Sequence, residues 1–320
     1  MMNISIILCT FNRCRRLARA LESLALSILP ETIEWEVLVV DNNSSDQTEA
    51  IVKDFCNRYP GRFRYCFESR QGKSYALNAG VREAQGDILA FTDDDVIVDP
   101  MWLQSLTSLL YDGRWAGSGG PVFPEPGFVP PRWLALDGPF NLIGALCAPW
   151  DAGSTPCELK EPPHGGNMAF RKEMFDKHGL FRTDLGPFPG SKIGFEDTEF
   201  GRRLITRGEH LYYVPTAIVF HEINETRIRK DYFLAWWFDF GRGSVREIGK
   251  SLTAWRILKI LARTLLTVLQ WLLAFDPRRR FYRKCRVWYG AGKLVEGFRQ
   301  EKIEEAEHKL NRETGRESVT

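Results

Sequence analysis

The first hundred residues alternate two kinds of pattern. Short apolar runs at Ile4–Cys9, Val37–Val40, Phe63–Phe67 and Ile88–Phe91 read as strands. Between them, Leu17, Ala20, Leu21, Leu24 and Ala25 recur at helical spacing. Ala50, Ile51 and Phe55 do the same behind an Asp46 or Ser45 cap, and 74–85 reads as a third helix. Strands alternating with helices predict a mostly parallel sheet with right-handed crossovers. In such sheets ligands gather at the carboxyl ends of the strands, and Asp41 and Asp93-Asp94-Asp95 follow strand ends. The stretch 113–163 is rich in Gly, Pro and Trp and reads as irregular. Order returns at 165–171, a helix is predicted over 197–207 before Gly208, and 212–221 reads as one more strand.

Composition narrows the class. The chain has 320 residues, 44% hydrophobic and 26% charged, with a net charge of +2. That is globular and argues against a dedicated nucleic-acid binder. The charge is uneven: −7 over the first 223 residues, +11 over 224–300 and −2 over the last twenty. An acidic body, 1–223, is followed by a basic, Trp-rich extension, 224–320. Seven cysteines form no CxxC pair, which points to reduced, mostly buried thiols in a cytosolic protein. The N-terminus enters a strand directly, without a secretory pattern.

Four acidic or basic clusters carry candidate chemistry. Three adjacent carboxylates at 93–95 repel one another, and a hard divalent cation offsets that; a solvated acidic turn is the plainer alternative. Asp41 begins an Asp/Asn/Ser turn and sits where a carboxylate could accept from a base N–H or a ribose hydroxyl, although no GxGxxG follows the first strand. Gln71-Gly72-Lys73-Ser74 ends like a phosphate loop, but Phe67 stands where that motif needs glycine. Arg70 and Lys73 can still meet phosphate at a helix N-terminus. Glu196-Asp197 opens a helix and offers either a dipole-favoured cap or a general base. His221 reads as structural or as a third metal ligand.

Taken in order, Cys9-Thr10-Phe11-Asn12-Arg13, Val39 through Asp46, Gly72 through Gly80, Phe91 through Asp95, Gly165-Gly166-Asn167 and Gly194-Phe195-Glu196-Asp197 resemble family 2 glycosyltransferases, inverting enzymes of the GT-A fold. The resemblance covers roughly Ile4–His221. It implies a GT-A α/β domain that moves a sugar from a UDP- or GDP-type donor to a glycan or lipid-linked acceptor, in envelope or exopolysaccharide assembly. Thr10, Asn12, Arg13 and Asp41 would hold the nucleotide, with Arg70, Lys73 and Asp94 beside it. Gly165, Gly166 and Asn167 would line the donor sugar. Asp93 and Asp95, with His221, would hold Mn²⁺ or Mg²⁺. Asp197, with Glu196 as the fallback, would be the base. No QxxRW follows residue 221, and Arg242 and Trp236-Trp237 do not reproduce it, so a single addition is favoured over polymer synthesis. The rivals are a metal-dependent nucleotidyltransferase, which should carry a Gly-rich basic loop after the first strand, and a catalytically silent nucleotide-sugar-binding or membrane scaffold.

The extension is not covered by the resemblance. Residues 257–275 are mostly apolar, yet Arg256, Lys259, Arg263 and Gln270 share one helical face. A central cation costs about 2.5–3.5 kcal/mol in a spanning helix. The pattern therefore predicts a helix lying in an anionic interface, followed by Arg278, Arg279, Arg280, Arg283, Lys284 and Arg286. A helix packed on protein is the alternative. The location expected is the cytoplasm, attached peripherally to the inner face of the membrane.

Overall fold

The computed structural model describes residues 3–249 and 251–313, with 304–313 as backbone only. The contacts divide the chain into two compact units: 1–128 with 147–190 and 196–224, and 129–146 with 191–195 and 225–320.

The first unit runs β1 (Ile4–Thr10), α1 (Cys14–Ala25), β2 (Trp35–Asp41), α2 (Thr48–Arg58), β3 (Phe63–Phe67), α3 (Lys73–Glu83) and β4 (Ile88–Asp93). It continues β5 (Val96–Val98), α4 (Trp102–Thr107), β6 (Gly117–Gly119), β7 (Val122–Pro124), β8 (Cys157–Glu158) and β9 (Met168–Arg171). It closes with α5 (Glu173–His178), α6 (Glu196–Thr206), β10 (Leu211–Tyr213) and β11 (Val219–His221). One sheet has the order β3-β2-β1-β4-β9-β6-β10-β8; β5-β11-β7 form a second. The pairs β2–β3, β1–β2 and β1–β4 are parallel. Both faces of β1, β2 and β4 are covered: in β1, Ile6 and Leu8 belong to one apolar cluster, Ile7 and Cys9 to the other, whereas the edge strand β3 is buried only at Phe63. Burial on both faces is why the strands read as continuous apolar runs. The registers Thr10↔Asp41 and Cys9↔Asp93 set those residues level at one carboxyl edge. Chain order reverses between β1 and β4, so this edge is a switch point where a ligand crevice forms.

Two expectations change. The strand expected over 212–221 is two strands in different sheets, because Pro215 between them lacks an N–H for the ladder. The irregular stretch contains β6, whose sequence is Gly-Ser-Gly. A Cβ at Gly117 would enter the Phe170 ring and one at Gly119 would meet Pro163, so close packing demands residues without strand character. None of the seven cysteines is in a disulfide, and only Cys9, Cys147 and Cys285 are buried.

The second unit holds α7 (Lys230–Arg246), α8 (Ala254–Leu272) and α9 (Pro277–Glu313). It also takes in 129–146 and 191–195, which the sequence reading assigned to the catalytic body. Gly241 and Gly292 let α7 and α9 approach backbone to backbone. Between these helices the buried Glu296 accepts from Arg242 Nε (3.0 Å) and Arg246 Nε (2.9 Å). Among the described residues no helix is long and apolar enough to cross a membrane.

Candidate active site

The loops after β1 and β2 are tied together. Asn12 takes a φ of +51° and Asn43 one of +65°, a left-handed conformation that asparagine tolerates better than most residues. Asn12 N–H donates to Ser44 Oγ (2.9 Å), and Asn12 Oδ1 accepts from Ser45 N (2.8 Å). Neither residue expected to cap α2 stands at the cap, which is Gln47; Asp46, one residue before it, accepts from Thr48 N (3.0 Å) and also from Cys14 N (3.0 Å). Asp41 is buried and accepts from Ser44 N (2.9 Å) and the Tyr65 hydroxyl (2.9 Å). Burial and then the Asp41 carboxylate push the Tyr65 phenol upward, which keeps it a donor. The neighbouring Asn42 fastens the next loop: its amide donates to the Glu68 and Arg70 carbonyls, and its oxygen accepts from Gly72 N (2.7 Å). Sequence reasoning took Asn42 for a turn former and missed Tyr65, whose position in the middle of a strand carries no signal.

The three carboxylates at the end of β4 take different sets of partners, with Arg13 shared by two of them. Asp93 accepts from Lys73 Nζ at 2.6 Å, at the first turn of α3. Asp94 accepts from Thr10 Oγ1 (2.8 Å) and Arg13 (2.7 Å). Asp95 meets Arg13 at 3.1 Å and His221 Nε2 at 3.3 Å. Asp94 gives the Arg13 guanidinium the largest upward push, so Arg13 stays charged. Burial works against the Lys73 ammonium, but Asp93 and Glu196 outweigh it and hold the pKa above the ordinary lysine range. Burial pushes the Asp94 carboxyl up. Asp94 is turned inward onto Thr10 and Arg13, and therefore braces the turn instead of facing a nucleotide.

The metal set is assembled only in part. Among the described residues no three His, Cys, Asp or Glu side chains are gathered as a metal site, because Asp93 is held by Lys73. Asp95 and His221 do meet: β11 pairs His221 with Val96, next to the acidic turn. His221 Nδ1 lies 2.9 Å from the Glu222 carbonyl, which fixes it as the protonated nitrogen. In the neutral ring Nε2 then presents a lone pair to the Asp95 carboxylate. Two electron-pair donors that close fit a cation shared between them.

Across from this turn α6 begins. Glu196 is buried, its Oε2 lacks a hydrogen-bond partner, and Oε1 lies 3.9 Å from Lys73 Nζ. Burial first, then the Asp197 charge, push its carboxyl up to about 8. Asp197 is half-buried and accepts from Gly165 N at 2.6 Å and Thr198 N at 2.7 Å. A Cβ on Gly165 would stand 2.6 Å from Asp197 Oδ2, and one on Gly166 would stand 3.3 Å from Asp93 Oδ2. The two glycines thus run between the α6 acid and the β4 acid.

Two expected contacts are corrected. Asn167 is fully buried; its amide donates to the Pro121 and Ala217 carbonyls and its oxygen accepts from the Trp102 indole. It braces the glycine segment and leaves no N–H for a donor sugar. Arg70 forms a two-pronged pair with Glu68 (3.0 and 2.8 Å) over the Tyr75 ring, so it stabilises its own loop and is not directed at phosphate.

The model of the family described as "Glycosyl transferase family 2" matches residues 5–179, more than half of the chain. The succinoglycan biosynthesis protein ExoM of Rhizobium meliloti is 30% identical over 239 residues, covering 73% of this chain and 70% of its own. The glucosyl-dolichyl phosphate glucuronosyltransferase of Haloferax volcanii is 24% identical over 251 residues, 75% of this chain and 76% of its own. A mannosyltransferase from Pyrobaculum calidifontis, solved with GDP-Man and Mn²⁺, superposes with a TM-score of 0.60 at 17% identity, covering 91% of this chain and 86% of that one. An edge at the β1/β4 switch point that gathers acids from β4 and α6 thus sits on a GT-A fold, and the chain belongs to glycosyl transferase family 2, as a glycosyltransferase that uses nucleotide-sugar donors.

Proposed function

We propose that the chain is an inverting, single-addition glycosyltransferase that takes a UDP- or GDP-type sugar donor and adds the sugar to a glycan or lipid-linked hydroxyl in envelope or exopolysaccharide assembly. The carrying observation is the opposition of Asp197 and the 93–95 acids across Gly165-Gly166. Asp41, with Thr10, Asn12 and Arg13 on the neighbouring loop, lies at the edge assigned to the nucleoside. Asp95 and His221 would hold Mn²⁺ or Mg²⁺, with Asp93 joining once Lys73 turns to the donor phosphates. The bound cation supplies charge neutralisation for the departing diphosphate. Asp197 accepts the proton of the attacking hydroxyl, oriented for this by the Gly165 N–H. Glu196, with its raised pKa, holds a proton near neutrality and is the poorer base. Attack from the face opposite the diphosphate inverts the anomeric carbon.

The acceptor class draws support from the dolichyl-phosphate sugar in the printed name of the Haloferax relative. The placement at the inner face of the cell membrane draws support from the +11 charge of 224–300. The test is calorimetry with a panel of nucleotide sugars, with and without Mn²⁺, alongside product formation. Asp95→Asn should abolish transfer and metal-dependent donor binding. Asp197→Asn should lose transfer while keeping donor affinity. Full wild-type activity in EDTA, or an active Asp197→Asn enzyme beside a dead Glu196→Gln enzyme, refutes the corresponding assignment.

A further inference from the structure

Helix α8 has three faces. Ile260, Thr264, Val268 and Trp271 are half-buried. Thr264 sits where a Cβ on Gly290 of α9 would fall, so this face packs on α9. Arg256, Lys259 and Arg263 form a second, basic face. The third face carries Trp255, Leu258, Leu265, Leu269 and Leu272, each more than half exposed, and it runs on to Phe275, exposed at 94%. Soluble proteins rarely leave so continuous a row of large apolar side chains bare.

We propose that this face is a docking surface for an anionic phospholipid bilayer, with α8 lying in the plane of the interface. The proposal deepens the membrane placement above and rests on that reading. Charge complementarity selects the occupant. From Ser251 to Val295 the chain carries ten Lys or Arg and one acid, Asp276. The bare face ends at Phe275, three residues before Arg278-Arg279-Arg280, all of them exposed. Lys259 Nζ lies 5.0 Å from the centre of the Trp255 ring, which joins the basic face to the apolar one. Cations flanking an apolar stripe suit lipid headgroups above acyl chains. A second copy of this chain fits poorly, since pairing two such helices sets Arg against Arg with no acid on α8 to separate them. A spanning orientation would carry Lys259 and Arg263 into hydrocarbon.

The experiment is co-sedimentation of the full chain with phosphatidylglycerol vesicles and with phosphatidylcholine vesicles at two salt concentrations. Nucleotide-sugar binding and light scattering are read on the same samples. The wild type should bind anionic vesicles at least tenfold better than neutral ones, and less so in high salt. Leu258→Gln/Leu265→Gln/Leu269→Gln should lose vesicle binding at least tenfold with nucleotide-sugar binding unchanged. Arg263→Gln/Arg279→Gln/Arg280→Gln should erase the preference for anionic lipid, and it leaves the apolar face intact should the leucine variant fold poorly. Failure of the wild type to sediment, or equal sedimentation of the leucine variant, overturns the proposal. A stable wild-type dimer that the leucine variant splits, without vesicle binding, assigns the face to a second copy and also overturns it. Loss of nucleotide-sugar binding by the wild type would count against the transferase reading and leave this result standing.

Discussion

The bond from Gly165 N–H to Asp197 gives the sharpest handle on the proposed base. Gly165 has no positive φ, so alanine is admissible for the backbone. The added methyl, however, would stand 2.6 Å from Asp197 Oδ2 and 3.1 Å from its Cβ and Cγ. The carboxylate must rotate away and lose the 2.6 Å bond. A hydrogen bond to a charged group contributes about 1.5–3 kcal/mol. At about 1.4 kcal/mol per tenfold in rate, that is roughly 10- to 100-fold in kcat. A base displaced by about 1 Å from its line of attack gives a loss of the same order, about 10². Gly165→Ala should therefore lower kcat by about two decades, with donor affinity by calorimetry and the far-ultraviolet dichroism unchanged. Gly166→Ala is the internal control, because its methyl meets Asp93 Oδ2 at 3.3 Å and needs only a few tenths of an ångström of relief. It should disturb metal-dependent donor binding more than turnover. Wild-type kcat in Gly165→Ala, beside an inactive Asp197→Asn enzyme, would falsify the claim that this N–H orients the base.

Other outcomes follow from the buried groups. Glu196, raised to about 8 in the fold, binds a proton there that the unfolded chain releases near pH 4.5. Wild-type stability should therefore fall as pH rises from about 4.5 to 8, by up to a few kcal/mol. Urea unfolding in EDTA should show that slope flattened in Glu196→Gln; an unchanged slope refutes the raised pKa. Asn167→Ala strands the Trp102 N–H and the Pro121 and Ala217 carbonyls. At about 1–3 kcal/mol each it should cost more than about 3 kcal/mol, and a midpoint within error of wild type would return Asn167 to the donor site.

The parallel half of the sheet was legible because β1, β2 and β4 are buried on both faces and the crossover helices carry apolar residues at helical spacing. The acidic strand end and the α6 acids were legible for a related reason: clustered like charge in a buried crevice needs a purpose. What sequence did not carry was partner choice. Nothing in Arg70-Gln71-Gly72-Lys73 distinguishes the cation that turns back to Glu68 from the one that reaches Asp93. Asn167 is expected at the donor because Gly165-Gly166-Asn167 is one of the pieces that resemble the family, and its partners lie 46, 50 and 65 residues away. Short strands hid for local reasons. Gly-Ser-Gly has no β propensity, and its place in the sheet follows from the ring of Phe170. In α8 the cations were rightly placed on one face, but only packing could show which face α9 takes.

The charge balance at the edge bears on whether the chain can work without a cation. Six carboxylates, Asp41, Asp93, Asp94, Asp95, Glu196 and Asp197, gather at this edge, with Arg13 and Lys73 among the cations that meet them. A proton held on Glu196 removes one of these charges and leaves the adjacent acids at 93–95. Two like charges 4 Å apart repel by about 4 kcal/mol at an effective dielectric near 20. A nucleoside diphosphate brought to this edge would meet that repulsion more than once. Lys73 relieves part of it, but only by leaving Asp93 and exposing one more carboxylate. On the proposed function, Asp93 and Asp95 would hold a divalent ion that supplies the missing positive charge, and Lys73 would then be free to face phosphate. The Lys73–Asp93 pair thereby gains a testable consequence: its 2.6 Å contact is the one that joint binding of donor and metal would have to break.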